Sequence, residues 1–230
     1  MTARPPVSSP PAAASDLVPD TAAEVVTDGL RTRTGPGLDE AVLRDANLTP
    51  GTIVFVVAGP VAADGYDWYQ VQPFDPSLPF GWVAAADHDG TPWIEPAVLA
   101  CPEAATLRAS DLAALTPLGA LACYGSGDVT VTGRVHCEGA DVDRSVSGPS
   151  WLRSNAYCGM DLEDGTEIEW HNGGFVLGFP PPGTLVKIDG HFDDPQASSC
   201  VYGLEGAAPD PASVILGCRT QFVAMDMRSP

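Results

Sequence analysis

Glycine and proline punctuate this chain so densely, 24 and 23 times in 230 residues, that its regular elements must be short. Proline breaks a helix and glycine weakens one, and the Lys and Glu runs that would favour helix are missing. The chain is therefore expected to be mainly β, with short strands and many turns rather than a helical bundle. Apolar residues make up 44%, enough for a buried core, and the length suits two small domains better than one.

Eleven basic residues oppose thirty acidic ones, for a net charge of −19, and Lys187 is the single lysine. A nucleic-acid binder needs a basic surface to displace counterions from phosphates, so nucleic acid is excluded as a partner. An anionic membrane surface would repel the chain for the same reason. No run of 18 apolar residues occurs, which argues against direct insertion into a membrane.

All six cysteines fall after residue 100, and none forms a CxxC pair. That usage favours disulfides over free thiols or zinc, whose ligands come in close pairs. A tentative pairing joins Cys101–Cys123, Cys137–Cys158 and Cys200–Cys218, each closing a loop of about 20 residues worth roughly 3 kcal/mol. Oxidation implies an extracellular or cell-envelope location. The opening "MTARPPVSSPPAAASDLVPD" has neither an apolar signal core nor a lipobox cysteine. The expectation is a trimmed precursor or a piece of a longer protein, with room for a lipid anchor upstream. Residues 1–22, rich in Pro, Ala and Ser, are expected to form a disordered spacer.

Residues 23–88 read as a string of strands. "AEVVTDGLRTR" runs into the turn "TGPG", and "GTIVFVVAG" is an unbroken β-branched and aromatic run with a deeply buried face. In "DWYQVQP", Trp68 and Gln70 lie on one side and Tyr69 and Val71 on the other. "GWVAAAD" closes the segment after the loop Phe74 to Phe80. Five short strands in about 65 residues make a small barrel, since a flat sheet would leave two edges unpaired. Trp82 and Val83 are expected in its core. Gly35 and Gly37 are expected to supply positive φ. Arg31 and Arg33 share a strand face and are expected to pair with Asp28, Asp39, Glu40 and Asp45. Tyr66, Trp68 and Tyr69 are the candidate ligand-binding surface.

"LRTRTGPG", "GTIVFVV", "WYQV" and "GWV", in this order, resemble a bacterial SH3 (SH3b) domain. The resemblance implies an SH3-like barrel, commonly a non-catalytic targeting module of exported bacterial proteins. It departs from that pattern at "LRDANLTPGT" and "PFDPSLPF", which lengthen two loops. Its implied partners are a cell-wall peptide or a protein.

Residues 89–108 are expected to be a linker and 109–228 a second β-domain. "ASDLAALTPLGAL" offers one short helix, capped by Ser110 or Asp111 and ended by Pro117. "ALACYG", "DVTVTGRVHCEG", "TEIEWHN", "GFVLGFPP", "GTLVKIDGHFDD" and "ASVILGCRTQFVAMD" read as strands, with Val129, Val131, Gly133 and Val135 on one face. Their order resembles an OB-like Greek-key barrel. "LACYG", "KIDGHFDDPQASSC" and "ILGCRTQFV" resemble segments of uncharacterised exported proteins of high-GC bacteria. OB barrels that bind nucleic acid need basic grooves, so the likeness does not bring that function with it.

No catalytic, metal or cofactor site is read from the chain. "GPSWL" and "GSGD" lack the serine elbow, and "DLEDGTE" fails the calcium-loop spacing. The alternative is a cell-wall hydrolase or amidase in the second domain, with Cys137 and His191 as nucleophile and base. Cys137 opens an acidic loop rather than a helix, which argues against an activated thiolate. Trp151 and Trp170 are expected in the core, and Asp193 and Asp194 in a turn after a strand. The expected function is non-catalytic binding or scaffolding at the cell surface.

Overall fold

In a computed structural model, residues 17–138, 157–161, 167–172, 181, 183–195, 197–199 and 211–230 are described. The chain is mainly β and divides into two compact units, Met1–Val98 and Leu99–Pro230.

The first unit contains β1 (Ala22–Val25), β2 (Leu30–Arg33), β3 (Val42–Leu48), β4 (Ile53–Ala63), β5 (Tyr66–Pro73), β6 (Gly81–Ala84) and β7 (Ile94–Pro96). They form one sheet in the order β3-β2-β6-β5-β4-β1-β7. Its outer strands are β3 and β7, and no pairing among the described residues joins them, so the sheet is open. The edge at β7 is only three residues long and ends in Pro96, which blunts it against further pairing. Strand β4 carries register shifts at Val56/Ala58 and Ala58/Val61, and such bulges bend a strand. Val25, Leu30, Leu48, Val56, Tyr69, Val83 and Ile94 therefore meet in one core although they come from both ends of the sheet.

Residues 89–98, expected as linker, instead supply β7, whose Ile94 is fully buried. Leu17, within the expected spacer, packs into the same core, and residues 1–16 lie outside the described residues. Val83 is core as expected, whereas Trp82 is only half-buried. Thr32 is fully buried, yet its hydroxyl finds no hydrogen-bond partner among the described residues. An unpaired buried hydroxyl costs about 1–3 kcal/mol. Thr32→Val, nearly the same shape, is thus expected to stabilise the chain by about 1 kcal/mol. Denaturant titration checks this, and a lowered midpoint would contradict it.

The second unit opens with β8 (Leu107–Arg108), α1 (Ala109–Ala114) and α2 (Pro117–Tyr124). The segment read as one helix is two, because Pro117 starts α2 rather than merely ending α1. Thr116 caps α2 by accepting the Gly119 N–H at 3.0 Å, and Asp111 accepts the Arg108 N–H at 2.7 Å at the start of α1. "ALACYG" is accordingly the end of a helix and not a strand.

Five longer strands follow: β9 (Val129–Glu138), β10 (Tyr157–Asp161), β11 (Glu167–Asn172), β12 (Leu185–His191) and β13 (Phe222–Arg228). Between the last two lies α3 (Pro211–Arg219), so "PASVILGCR" is helical where a strand was expected. The sheet order is β10-β11-β13-β12-β9-β8, with β10 also paired to β9. All these pairs are antiparallel except β11–β13 and β8–β9. Val129, Val131 and Gly133 are buried together, as their alternation requires. Asp193, in the turn after β12, has φ 52 and holds Arg219 through both carboxylate oxygens, at 2.6 and 3.1 Å.

Cys101 and Cys123 form a disulfide with Cα atoms 5.6 Å apart, and Cys218 is also disulfide-bonded. The register sets Cys137 directly opposite Cys158. Cys200, residues 174–180 of "GFVLGFPP" and Trp151 lie outside the described residues, as does the side chain of Trp170.

Candidate ligand pocket

The pocket begins with a hairpin. Asp64 (φ 51) and Gly65 (φ 82) make a two-residue turn between the paired Ala63 and Tyr66. Asp-Gly suits this geometry because both positions need positive φ. The turn starts β5 with Tyr66, and strand alternation puts Tyr66 and Trp68 on one face and Tyr69 on the other. Trp68 donates its indole N–H to the Ala63 carbonyl at 3.0 Å, which fixes its ring across the hairpin. The ring of Trp93 stacks on Tyr66 with centroids 5.9 Å apart, and the His88 ring approaches Tyr66 at 4.3 Å.

Across from this aromatic wall runs β2. Arg33 lies over the Trp68 ring at 5.9 Å and donates from one Nη to the carbonyls of Leu38 (3.0 Å) and Glu40 (2.7 Å). The loop that presents those carbonyls is compact. A Cβ on Gly35 would stand 2.8 Å from the Glu40 carboxyl carbon, and Gly37 adopts φ 142 beside the Asp64 carboxylate. Gly37 thus has the expected positive φ, whereas Gly35 does not and only lies close against the exposed Glu40 side chain. Asp64 also accepts the Leu38 N–H at 2.7 Å and so ties this loop to the hairpin.

Together Asp28, Arg31, Arg33, Tyr66, Trp68 and Trp93 line a pocket of about 310 Å³. Of the three residues proposed from sequence, it gathers two. Tyr66 is half-buried; Trp68 is 2% exposed and forms the floor more than a surface. Tyr69 does not belong: it is 2% exposed in the core, its hydroxyl 3.5 Å from the Leu17 carbonyl. It points away because it follows Trp68 by one residue on a strand.

The arginines also depart from expectation. Arg33 bonds carbonyls rather than the neighbouring carboxylates, and exposed Arg31 makes no ion pair or side-chain hydrogen bond among the described residues. Trp93 was missed because proline and aspartate made its segment look like linker, and His88, the last residue read as barrel, carried no motif. The usable signal was "WIEP", an aromatic and β-branched pair before proline on an edge strand.

Cys137 and His191 do not come together. Arg134 pairs Leu185 at one end of the β9–β12 ladder and Val129 pairs Gly190 at the other. Cys137 continues three positions beyond the first end and His191 one beyond the second, on the order of 30 Å along the ladder at ~3.3 Å per residue. A nucleophile and its base must be within hydrogen-bond reach. Instead, His191 Nδ1 lies 2.6 Å from the Phe192 carbonyl.

Comparison with protein-family models, curated proteins and solved structures returns no match to this chain.

Proposed function

We propose that this chain is an exported, non-catalytic binding protein of the cell envelope, and that its first unit is an SH3b-like module holding a cell-wall peptide or a protein partner. The observation that carries the reading is the pocket, where an arginine without an ion partner among the described residues faces an aromatic wall. Pockets of this kind combine apolar area for affinity with a few polar groups for orientation. The SH3b reading is supported by the four motifs falling on β2, β4, β5 and β6, with β2, β6, β5 and β4 adjacent in that order.

An OB-like barrel for the second unit is supported by its order of pairing. Strand β9 pairs β10, β10 pairs β11, β11 runs parallel to β13, β13 pairs β12, and β12 returns to β9. Export is supported by the Cys101–Cys123 disulfide, since such bonds persist in oxidising compartments. No described helix is long and apolar enough to cross a membrane.

Retention of the full chain on purified cell wall at low salt tests the wall-binding form of this reading. Tyr66→Ala, which removes half-buried aromatic area from the pocket, is expected to weaken retention at least tenfold, as loss of an aromatic anchor does. Failure of the unaltered chain to be retained would sink the wall-binding form.

A further inference from the structure

The pocket carries one unused charge in a place where charge is scarce. Thirty acidic residues are available to pair eleven basic ones, yet the exposed guanidinium of Arg31 has no ion pair or hydrogen bond among the described residues. Arg33 is partly committed. One of its nitrogens donates to two carbonyls, which leaves Nε and the other Nη unassigned while the plane lies over Trp68. Five N–H donors in a fixed fork match the two oxygens of a carboxylate. A cationic ligand would be repelled by both arginines. A doubly charged phosphate would face the field of a chain with net charge −19 and Asp28 in the pocket lining, twice as strongly as a single charge. A single negative charge fits best.

Size narrows the choice further. At about 310 Å³ the pocket is at the small end of ligand sites, which run from ~300 to 1,000 Å³. It accommodates one compact apolar body and not a length of chain. Tyr66 and Trp93, both half-buried and both in the lining, offer that body aromatic area.

We propose that the pocket recognises a carboxylate attached to a compact apolar or aromatic group, with Arg31 holding the carboxylate and Tyr66 and Trp93 the apolar part. The chemistry occurs at the free C-terminus of a peptide and in small aromatic acids. This deepens the binding reading given above and rests on the same pocket.

The test is calorimetric titration of the full chain with three probes. These are an N-acetylated pentapeptide ending in phenylalanine as the free acid, the same peptide as its C-terminal amide, and N-acetyl-phenylalanine. The free acid is expected to bind at least tenfold tighter than the amide, the usual scale for a charge-assisted hydrogen bond. Arg31→Gln should reduce that preference to less than twofold without moving the thermal midpoint, and Arg31→Lys should restore part of it. Tighter binding of the pentapeptide than of N-acetyl-phenylalanine assigns the peptide end as source; equal binding assigns the small acid. Equal affinity for acid and amide overturns the proposal, as does an acid preference that survives in Arg31→Gln, or no binding of any probe. Wall retention with equal acid and amide affinities defeats this proposal alone. An acid preference without wall retention defeats the wall-binding reading alone.

Discussion

Gly59→Ala is expected to destabilise the first unit by about 4 kcal/mol and to lower its melting midpoint by roughly 15–30 °C. Gly59 sits at the second register shift of β4 with φ 125, a conformation that L side chains rarely adopt. Space compounds the strain. A Cβ there would stand 2.7 Å from Tyr69 Cδ1 and 2.8 Å from the Trp68 carbonyl oxygen. Neither neighbour can give way, because Tyr69 is core and the oxygen is backbone in a paired strand. Gly51→Ala is the control: its φ is 87 but nothing lies within 4 Å of a new Cβ. That change should cost only the conformational share, about 1 kcal/mol. Thermal unfolding followed by tryptophan fluorescence compares the two, and equal midpoints would show that the close approach of β5 carries no weight.

The second large effect is confined to the other unit. Removing the Cys101–Cys123 disulfide as Cys101→Ser with Cys123→Ser should cost about 3 kcal/mol, the chain-entropy value for a loop of this length. The bond spans 22 positions and encloses β8, α1 and most of α2. Among the described residues a hydrogen bond bridges the same ends without it: the Tyr124 hydroxyl donates to the Pro102 carbonyl at 2.9 Å. Burial first, and the Asp111 carboxylate second, push the Tyr124 phenol above its ordinary value, so it remains a donor well into the alkaline range. A hydrogen bond of net worth ~1 kcal/mol does not replace the crosslink. Calorimetry should show the Leu99–Pro230 transition falling by about 10 °C while that of Met1–Val98 stays in place. Movement of the first transition would contradict independent unfolding of the two units.

The strands that face a core on one side were legible in the sequence. Alternation in "DWYQV" separated Tyr69 and Val71 from Trp68, and "GTIVFVV" announced β4 by its β-branched run alone. Alternation sorts residues into two faces but does not say which face is the core. Trp68 is as buried as Tyr69, and for that reason composition could not choose between them. The same limit misled "PASVILGCR", where Val, Ile and Leu suggested a strand. Pro211 at the first helical position was the usable sign of a helix, whereas Leu216 and Cys218, buried two apart with exposed Gly217 between them, keep the spacing of a strand. Arg31 and Arg33 were assigned to nearby acids on sequence distance. The surroundings of Arg33 are set by the compact Gly35–Glu40 loop and by the hairpin tip, which pairwise proximity along the chain does not encode.

Asp64 has a consequence for how quickly and how cheaply a ligand is taken up. Its carboxylate holds the Leu38 amide, Leu38 in turn holds Arg33, and Arg33 lies on Trp68, so both sides of the pocket are fastened to each other by folding itself. Ordering a long side chain on binding costs about 0.5–1.5 kcal/mol, and here that loss has already been met for Arg33. Arg31 is left as the one long side chain to be immobilised at encounter. Recognition by this pocket should therefore resemble insertion into a set mould, with association limited by diffusion and orientation and little rearrangement of the backbone.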